Sequence, residues 1–338
     1  MRIGVAIDQL HRPIPGGIGT YVRGLLQGLA EVGGGHRVAT FGATSSRWAD
    51  RMQTLAWVNS DRGVPGELDV IHATSLAGPF GHRAGVQRSI MLQDVLWKDE
   101  PDSFTARGRK FHELRFLKVV QRDDIAVLVS TAVLRERVIA EGVSRERTHL
   151  VTLGLDHGDD VSDAEEICRR RGITGAFTLV VGTIEPRKNL DRIFRAFQLA
   201  RATAPELGQL VIAGRFGWGE QHIPADVMWI SDLSTPELRA LQYAATVAAY
   251  VPLREGWGLP PLEALQQGTR VVTSSTVPSC HERADVVVVD PHDVESIAAG
   301  LVKAMSLPND DASREARRRS VASLTWRAMA EQHLAAWS

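Results

Sequence analysis

Short apolar runs recur along this chain, each pair separated by enough residues for a helix, and the rhythm breaks once and then restarts. In the first half the runs are 2–7, 37–41, 69–72, 89–92 and 125–129. In the second they are 178–181, 209–212, 227–230, 247–250, 270–273 and 286–289. Runs that are continuous rather than alternating mark strands covered on both faces, and strands separated by helical stretches pair in parallel. The expected fold is therefore α/β, with two Rossmann-like domains built on parallel sheets. A length of 338 residues agrees, since single cores stop growing at roughly 250–300 residues. The polar, acidic stretch 156–163 has no strand pattern and suits a linker. The expected boundaries are 1–155, a linker at 156–172, a second domain at 173–322 and a terminal helix at 323–338 anchored by Trp326 and Trp337. An active cleft is expected between the halves. The pattern alone leaves open whether the terminal helix covers the second sheet or returns to the first.

Charged residues concentrate the chemistry in two places. In Arg254-Glu255-Gly256-Trp257-Gly258-Leu259-Pro260-Pro261-Leu262-Glu263, two carboxylates flank a glycine loop that runs into a helix. The prolines fit a first turn, where a missing N–H costs nothing, and Gly268 fits the left-handed position just past the helix end. Glu263 is then expected near the first turn. The N–H groups of Gly258 and Leu259, with the positive end of the helix dipole, make a ready anion site. The second place is 180–190, which carries Arg187 and Lys188 just beyond a strand, where α/β sheets bind ligands. Only five of the 39 basic residues are lysines (Lys98, Lys110, Lys118, Lys188 and Lys303), so a lysine here is not background. A guanidinium and an ammonium side by side suit a diphosphate. Near the start, Gly16-Gly17-Ile18-Gly19 opens a helix to about Ala30 and lets backbone approach a phosphate or an acceptor. It is not a dinucleotide fingerprint: Val22 stands where a third glycine belongs, and no acid follows the second strand.

In order and spacing these segments, with Ile212-Ala213-Gly214 and Thr276-Val277-Pro278-Ser279-Cys280-His281-Glu282, resemble the retaining glycosyltransferases of family 4, the group 1 glycosyltransferases of GT-B fold. The resemblance covers nearly the whole chain. It implies that Glu263 holds the ribose of a nucleotide sugar, that Glu255 lies close to the donor sugar, and that Lys188, with Arg187, stabilises the departing diphosphate. It also implies that the terminal helix crosses back to the first domain. Three positions depart from the family pattern: Thr183 replaces an arginine, Trp257 a phenylalanine, and Gln93, before Asp94, a histidine. Gln93 can hydrogen-bond a sugar or phosphate but carries no titratable proton. His72 is the other possible sugar contact, if it faces the cleft rather than packing at its strand end. The implied activity is retaining transfer of a hexose from a UDP- or GDP-sugar, mannosyltransferase-like, to a glycan, a lipid-linked sugar or a small molecule. The alternatives are a nucleotide-sugar epimerase and, because of Gln93, a nucleotide-binding protein without transfer activity.

Other partners are bounded by composition. A net charge of −1 lacks the basic excess that nucleic-acid binding needs. Cys168 and Cys280 have neither disulfide-scaffold nor metal-ligand spacing and read as free thiols. The acidic pairs Asp159-Asp160 and Asp310-Asp311 sit in apparent loops, so no metal and no cofactor is expected, the nucleotide sugar being a substrate. No stretch approaches the ~18 apolar residues of a membrane span, and a cytoplasmic location is expected. The segment 107–122 mixes Arg107, Arg109, Lys110, Arg115, Lys118 and His112 with Phe111, Leu114 and Leu117 at helical spacing. It is either a solvated face over a core or a peripheral contact with anionic lipid or acceptor.

Overall fold

The computed structural model describes residues 1–12, 16–42, 47–158, 161, 163–219, 222–281, 283 and 285–338, with backbone only at 47, 48, 50 and 51. Two compact units result: Met1–Asp156 with Leu324–Ser338, and His157–Ser323.

In the first unit the apolar runs become strands β1 (Arg2–Ala6), β2 (Arg37–Phe41), β3 (Val70–Ala73), β4 (Gln87–Leu92), β5 (Ile125–Val129) and β6 (Thr148–Leu150). All pair in parallel, in the order β2-β1-β3-β4-β5-β6. The helices are α1 (Gly16–Val32), α2 (Arg47–Ala56), α3 (Leu96–Asp99), α4 (Ala106–Val120) and α5 (Ala132–Ala140). Strand β6 was not expected from the pattern. It is a three-residue edge strand, Thr-His-Leu, that pairs only with β5 and has no apolar run to betray it.

The second unit repeats the plan: α6 (Ala164–Arg170), β7 (Phe177–Val181), α7 (Leu190–Thr203), β8 (Gln209–Ala213), β9 (Met228–Ile230), α8 (Thr235–Ala244), β10 (Val247–Tyr250), α9 (Leu259–Gln266), β11 (Val271–Ser274), β12 (Val286–Val289), α10 (Val294–Ser306) and α11 (Asp311–Val321). Its sheet runs β12-β11-β10-β7-β8-β9, so the chain reverses direction across the sheet between β7 and β10. Alternate strand residues serve opposite faces: Val180, Leu210 and Ile212 pack with α7 and α10, whereas Leu179, Val211 and Ala213 pack with α6 and α8. Residues 164–170, expected within the linker, are thus a helix of this unit; the short apolar set Ala164, Ile167 and Cys168 is enough to seat it. Of the acidic pairs, Asp159-Asp160 lies outside the described residues. Asp310, expected in a loop, is the N-cap of α11, its carboxylate accepting from the Ser313 N–H, and Asp311 is in that helix's first turn.

The chain ends on α12 (Trp326–Ala336), which belongs to the first unit and packs along α1. Glycine makes the close approach possible: a Cβ on Gly24 would stand 2.3 Å from the Trp326 ring, and one on Gly28 2.1 Å from the Trp326 carbonyl oxygen. Beneath it runs a buried polar chain whose protons can be placed by elimination. The Met329 carbonyl only accepts, so His333 Nδ1 carries its hydrogen and, in the neutral ring, Nε2 accepts from Tyr21. The Tyr21 oxygen must then accept from His72 Nε2–H, and His72 Nδ1 accept from Ser89, which in turn accepts from Trp337 Nε1–H. This corrects the reading of His72 as a sugar contact. It lies inside β3, paired with Val5 and Ser89, with no exposed surface, and its hydrogen bonds are spent within the core.

Helix α4 carries its core contacts on other residues than the apolar stripe Phe111, Leu114 and Leu117. Leu114 and Leu117 are exposed, and the buried face carries Arg115, Phe116 and Val119 instead. Arg115 is tolerated there because its guanidinium donates to the carbonyls of Ala77 and Thr54.

Candidate functional site

Open α/β sheets bind ligands beyond the carboxyl ends of their strands, at the point where strand order reverses. In the second unit that point lies between β7 and β10. The loop after β7 carries Glu185, Arg187 and Lys188, and the loop after β10 carries Glu255. The structure joins them. Lys188 Nζ is 2.7 Å and Arg187 Nη1 2.9 Å from Glu255 Oε2, and Arg187 Nη2 is 2.5 Å from Glu185 Oε1. Arg187 also donates to the carbonyl of Arg254, and the Leu253 N–H donates to the carbonyl of Arg187, which fastens one loop to the other. Tyr250, the last residue of β10, bonds both Lys188 and Glu255.

Asn189 holds the loop from behind. It is the one non-glycine residue with positive φ among those described, at 62°, and it is buried. Its side chain donates to the carbonyls of Val251 and Pro291. Asparagine tolerates the left-handed region because a short polar side chain can be satisfied locally. The resulting turn sends Lys188 to one side and α7 to the other.

Charge pairing decides the protonation here. Burial alone would raise the Glu255 carboxyl, but Lys188 and Arg187, with hydrogen bonds from Lys188 and Tyr250, hold it well below the usual carboxylate range. Burial, with the like charge of Arg187, lowers Lys188, and Glu255 opposes that. Burial, then the charge of Glu255, pushes the Tyr250 phenol well above its ordinary value, so it stays protonated. Two cations thus face two carboxylates on a shelf where the Lys188 and Glu255 side chains keep 12% and 15% of their exposure.

The glycine loop is shaped as expected. Gly258 is the N-cap of α9 at φ 97°, and a Cβ there would stand 2.4 Å from Val277 Cγ1. Leu259, Pro260 and Pro261 form the first turn, and Gly268 has φ 78°. Because the two prolines have no N–H, Gly258 and Leu259 supply the free donors at this helix end. Glu263 is the fifth helical residue, just past the first turn, where the Gln242 amide lies 3.4 Å from its carboxylate. The Trp257 indole N–H is buried without a hydrogen-bond partner.

The remaining sequence candidates lie in the first unit. Gly16, with φ 56°, and Gly17 begin α1, and a Cβ on either would meet nothing within 4 Å. Gln93 follows β4, and its Nε2 is buried without a partner. The sequence reading missed Tyr250, Glu185 and Asn189. Only Tyr250 left a signal, a polar-tipped residue closing an otherwise apolar strand. A cavity of about 680 Å³ in the second unit is lined by Tyr243, Gln267, Glu315 and Arg318, at the other end of α9. The ionic cluster, not that cavity, marks the site, because it brings opposed charges together at the sheet's reversal. Among the described residues no helix is long and apolar enough to cross a membrane, and no group of three or more His, Cys, Asp or Glu is placed to hold a metal ion.

Known proteins resemble this chain in sequence over part of its length and in fold over nearly all of it. Residues 165–320 match the family described as glycosyl transferases group 1. The chain is 32% identical over 154 residues to the O-antigen chain mannosyltransferase B of Escherichia coli, a match spanning 41% of this chain and 38% of that protein. It is 27% identical over 304 residues to the MMP alpha-(1->4)-mannosyltransferase of Mycolicibacterium hassiacum, spanning 81% of this chain and 71% of that one. The structure of Anabaena HepE in complex with UDP and glucose superposes with a TM-score of 0.71 at 14% identity, covering 99% of this chain and 98% of that one. The fold is GT-B, and the match to the group 1 glycosyltransferase family lies within the second unit.

Proposed function

We propose that this protein is a retaining mannosyltransferase that takes its sugar from a nucleoside diphosphate donor, with GDP as the nucleotide, and delivers it to a glycan or a lipid-linked sugar. The observation that carries the reading is the Arg187–Glu255–Lys188 cluster at the reversal of the second sheet. The departing diphosphate gains negative charge as the glycosidic bond breaks, and two preplaced cations stabilise that charge at little cost in reorganisation. The printed activities of the curated relatives favour mannose.

In this reading Lys188 and Arg187 donate to the phosphates from their places beside Glu255, Gly258 and Leu259 donate backbone N–H groups, and Glu263 accepts from the ribose. Glu255, still paired with the cations, also accepts from the sugar hydroxyls. Its strong ionic commitment suits it poorly to covalent attack, so the sugar is transferred on the same face with help from the departing phosphate. Gln93 would serve as a hydrogen-bond donor to sugar or phosphate, and Gly16 and Gly17 leave room for a ligand to approach the backbone. The exposed Leu114 and Leu117, beside the cations of α4, are where contact with a lipid-linked acceptor would be sought.

The test is a thermal-shift panel with UDP, GDP, dTDP and ADP on wild type and Lys188→Ala, since a ligand at about 100 times its Kd adds about 2.7 kcal/mol. The reading expects a shift with GDP that the variant loses, followed by transfer from GDP-mannose with the product's anomeric configuration retained by NMR. No shift with any nucleotide would overturn it.

A further inference from the structure

Strand β10 reads Val-Ala-Ala-Tyr, and its tyrosine ends where the site begins. Tyr250 is 5% exposed, and a buried phenol needs a hydrogen-bond partner. This one has two, both ionic. An ammonium only donates and a carboxylate only accepts, so the arrangement of protons is forced. Lys188 donates to the Tyr250 oxygen across 2.6 Å, and the Tyr250 O–H donates to Glu255 Oε2. The ammonium also stands 4.7 Å from the centre of the Tyr250 ring, within the range of a cation–π contact. Two of its three N–H groups are committed, to Tyr250 and to Glu255, which fixes the direction of the third.

We propose that Tyr250 is a positioning residue: its hydroxyl holds the Lys188 ammonium and the Glu255 carboxylate as one unit, so that Lys188 meets a nucleoside diphosphate charged and already aimed. The inference rests on the transferase reading above. It assigns the hydroxyl, not the ring, since phenylalanine would fill the same buried space. It also gives Lys188 an acceptor other than Glu255, which Arg187 shares. The charged groups facing Lys188 are Glu255, Arg187 and Glu185, and replacing the phenol leaves all three in place.

The test variant is Tyr250→Phe, with GDP as the probe. GDP affinity is measured by calorimetry from pH 7 to pH 10 on wild type, Tyr250→Phe and Lys188→Ala. A hydrogen bond to a charged group contributes enough that the phenylalanine variant is expected to bind GDP about tenfold more weakly. The pH at which binding fails should move down, because the ammonium has lost an acceptor. The titration of Lys188 can also be followed without ligand, by NMR of 13C-labelled lysine side chains, as only five lysines contribute signals. The same downward move is expected there, and a role confined to packing would not produce it. Unchanged GDP affinity and an unchanged Lys188 titration in Tyr250→Phe, with binding lost in Lys188→Ala, would overturn the inference and leave the transferase reading standing. A variant that fails to fold would also overturn it, since the hydroxyl would then be serving stability. If wild type itself binds no nucleotide, the transferase reading fails, and the inference fails with it.

Discussion

Acidification should loosen the first unit through the buried chain that joins Tyr21, His72, Ser89, His333 and Trp337. Every donor in that chain is used once, so an added proton on either imidazole has nowhere to go without breaking a contact. Burial lowers His333 from an ordinary 6.5 to about 4, and burial, with the nearby His333, lowers His72 well below its ordinary value. The unfolded chain takes up protons near 6.5 while the folded chain resists. Stability is therefore full above that pH and is lost as pH falls toward 4. At about 1.4 kcal/mol per pH unit, His333 alone sets a ceiling of about 3 kcal/mol, more than half of which is gone by pH 5. His72 adds to this in the same direction.

The measurement is urea unfolding at pH 7.5, 6.5, 5.5 and 5.0, together with hydrogen exchange of α12 amides corrected for intrinsic rate. The comparison is His333→Gln. That variant should be weaker at pH 7.5 by about 1–3 kcal/mol, having lost buried hydrogen bonds. Its stability should fall less steeply with acid, by about 1 kcal/mol per pH unit between pH 6 and 5. Wild-type stability that is flat from pH 7.5 to 5.0, or equal slopes in the two proteins, would refute the proton assignment.

Two further outcomes follow from close packing. Gly28→Ala puts a methyl group onto the Trp326 carbonyl, so α12 must shift; overpacking of this kind costs about 1–3 kcal/mol, occasionally more, and should appear as a lower Tm with altered tryptophan fluorescence. Gly258→Ala forces a side chain at φ 97° against Val277. The loop must move, and GDP affinity measured by calorimetry should fall by about tenfold or more, in line with about 1–3 kcal/mol of strain.

Much of the site could be read before the structure because it depends on local spacing. Gly258, Pro260, Pro261 and Gly268 specify where α9 starts and stops through φ preferences and missing N–H groups, which act within a few residues. The placement of Arg187 and Lys188 after a strand is equally local. His72 shows the limit. As a residue type near a strand's end it could serve a ligand or the core, and the choice was made by Tyr21, Ser89 and His333, whose partners lie 51, 17 and up to 312 residues away in sequence.

The sequence by itself determined two parallel α/β sheets, the glycine loop and the identity of the cations, because apolar runs, turn residues and charge are properties of short segments. Only the tertiary structure decided that Glu255 sits between Arg187 and Lys188, that Tyr250 ties it to the lysine, and that α12 belongs to the first unit. Those contacts join residues far apart in the chain, and their energies depend on burial and on directions that no local pattern encodes.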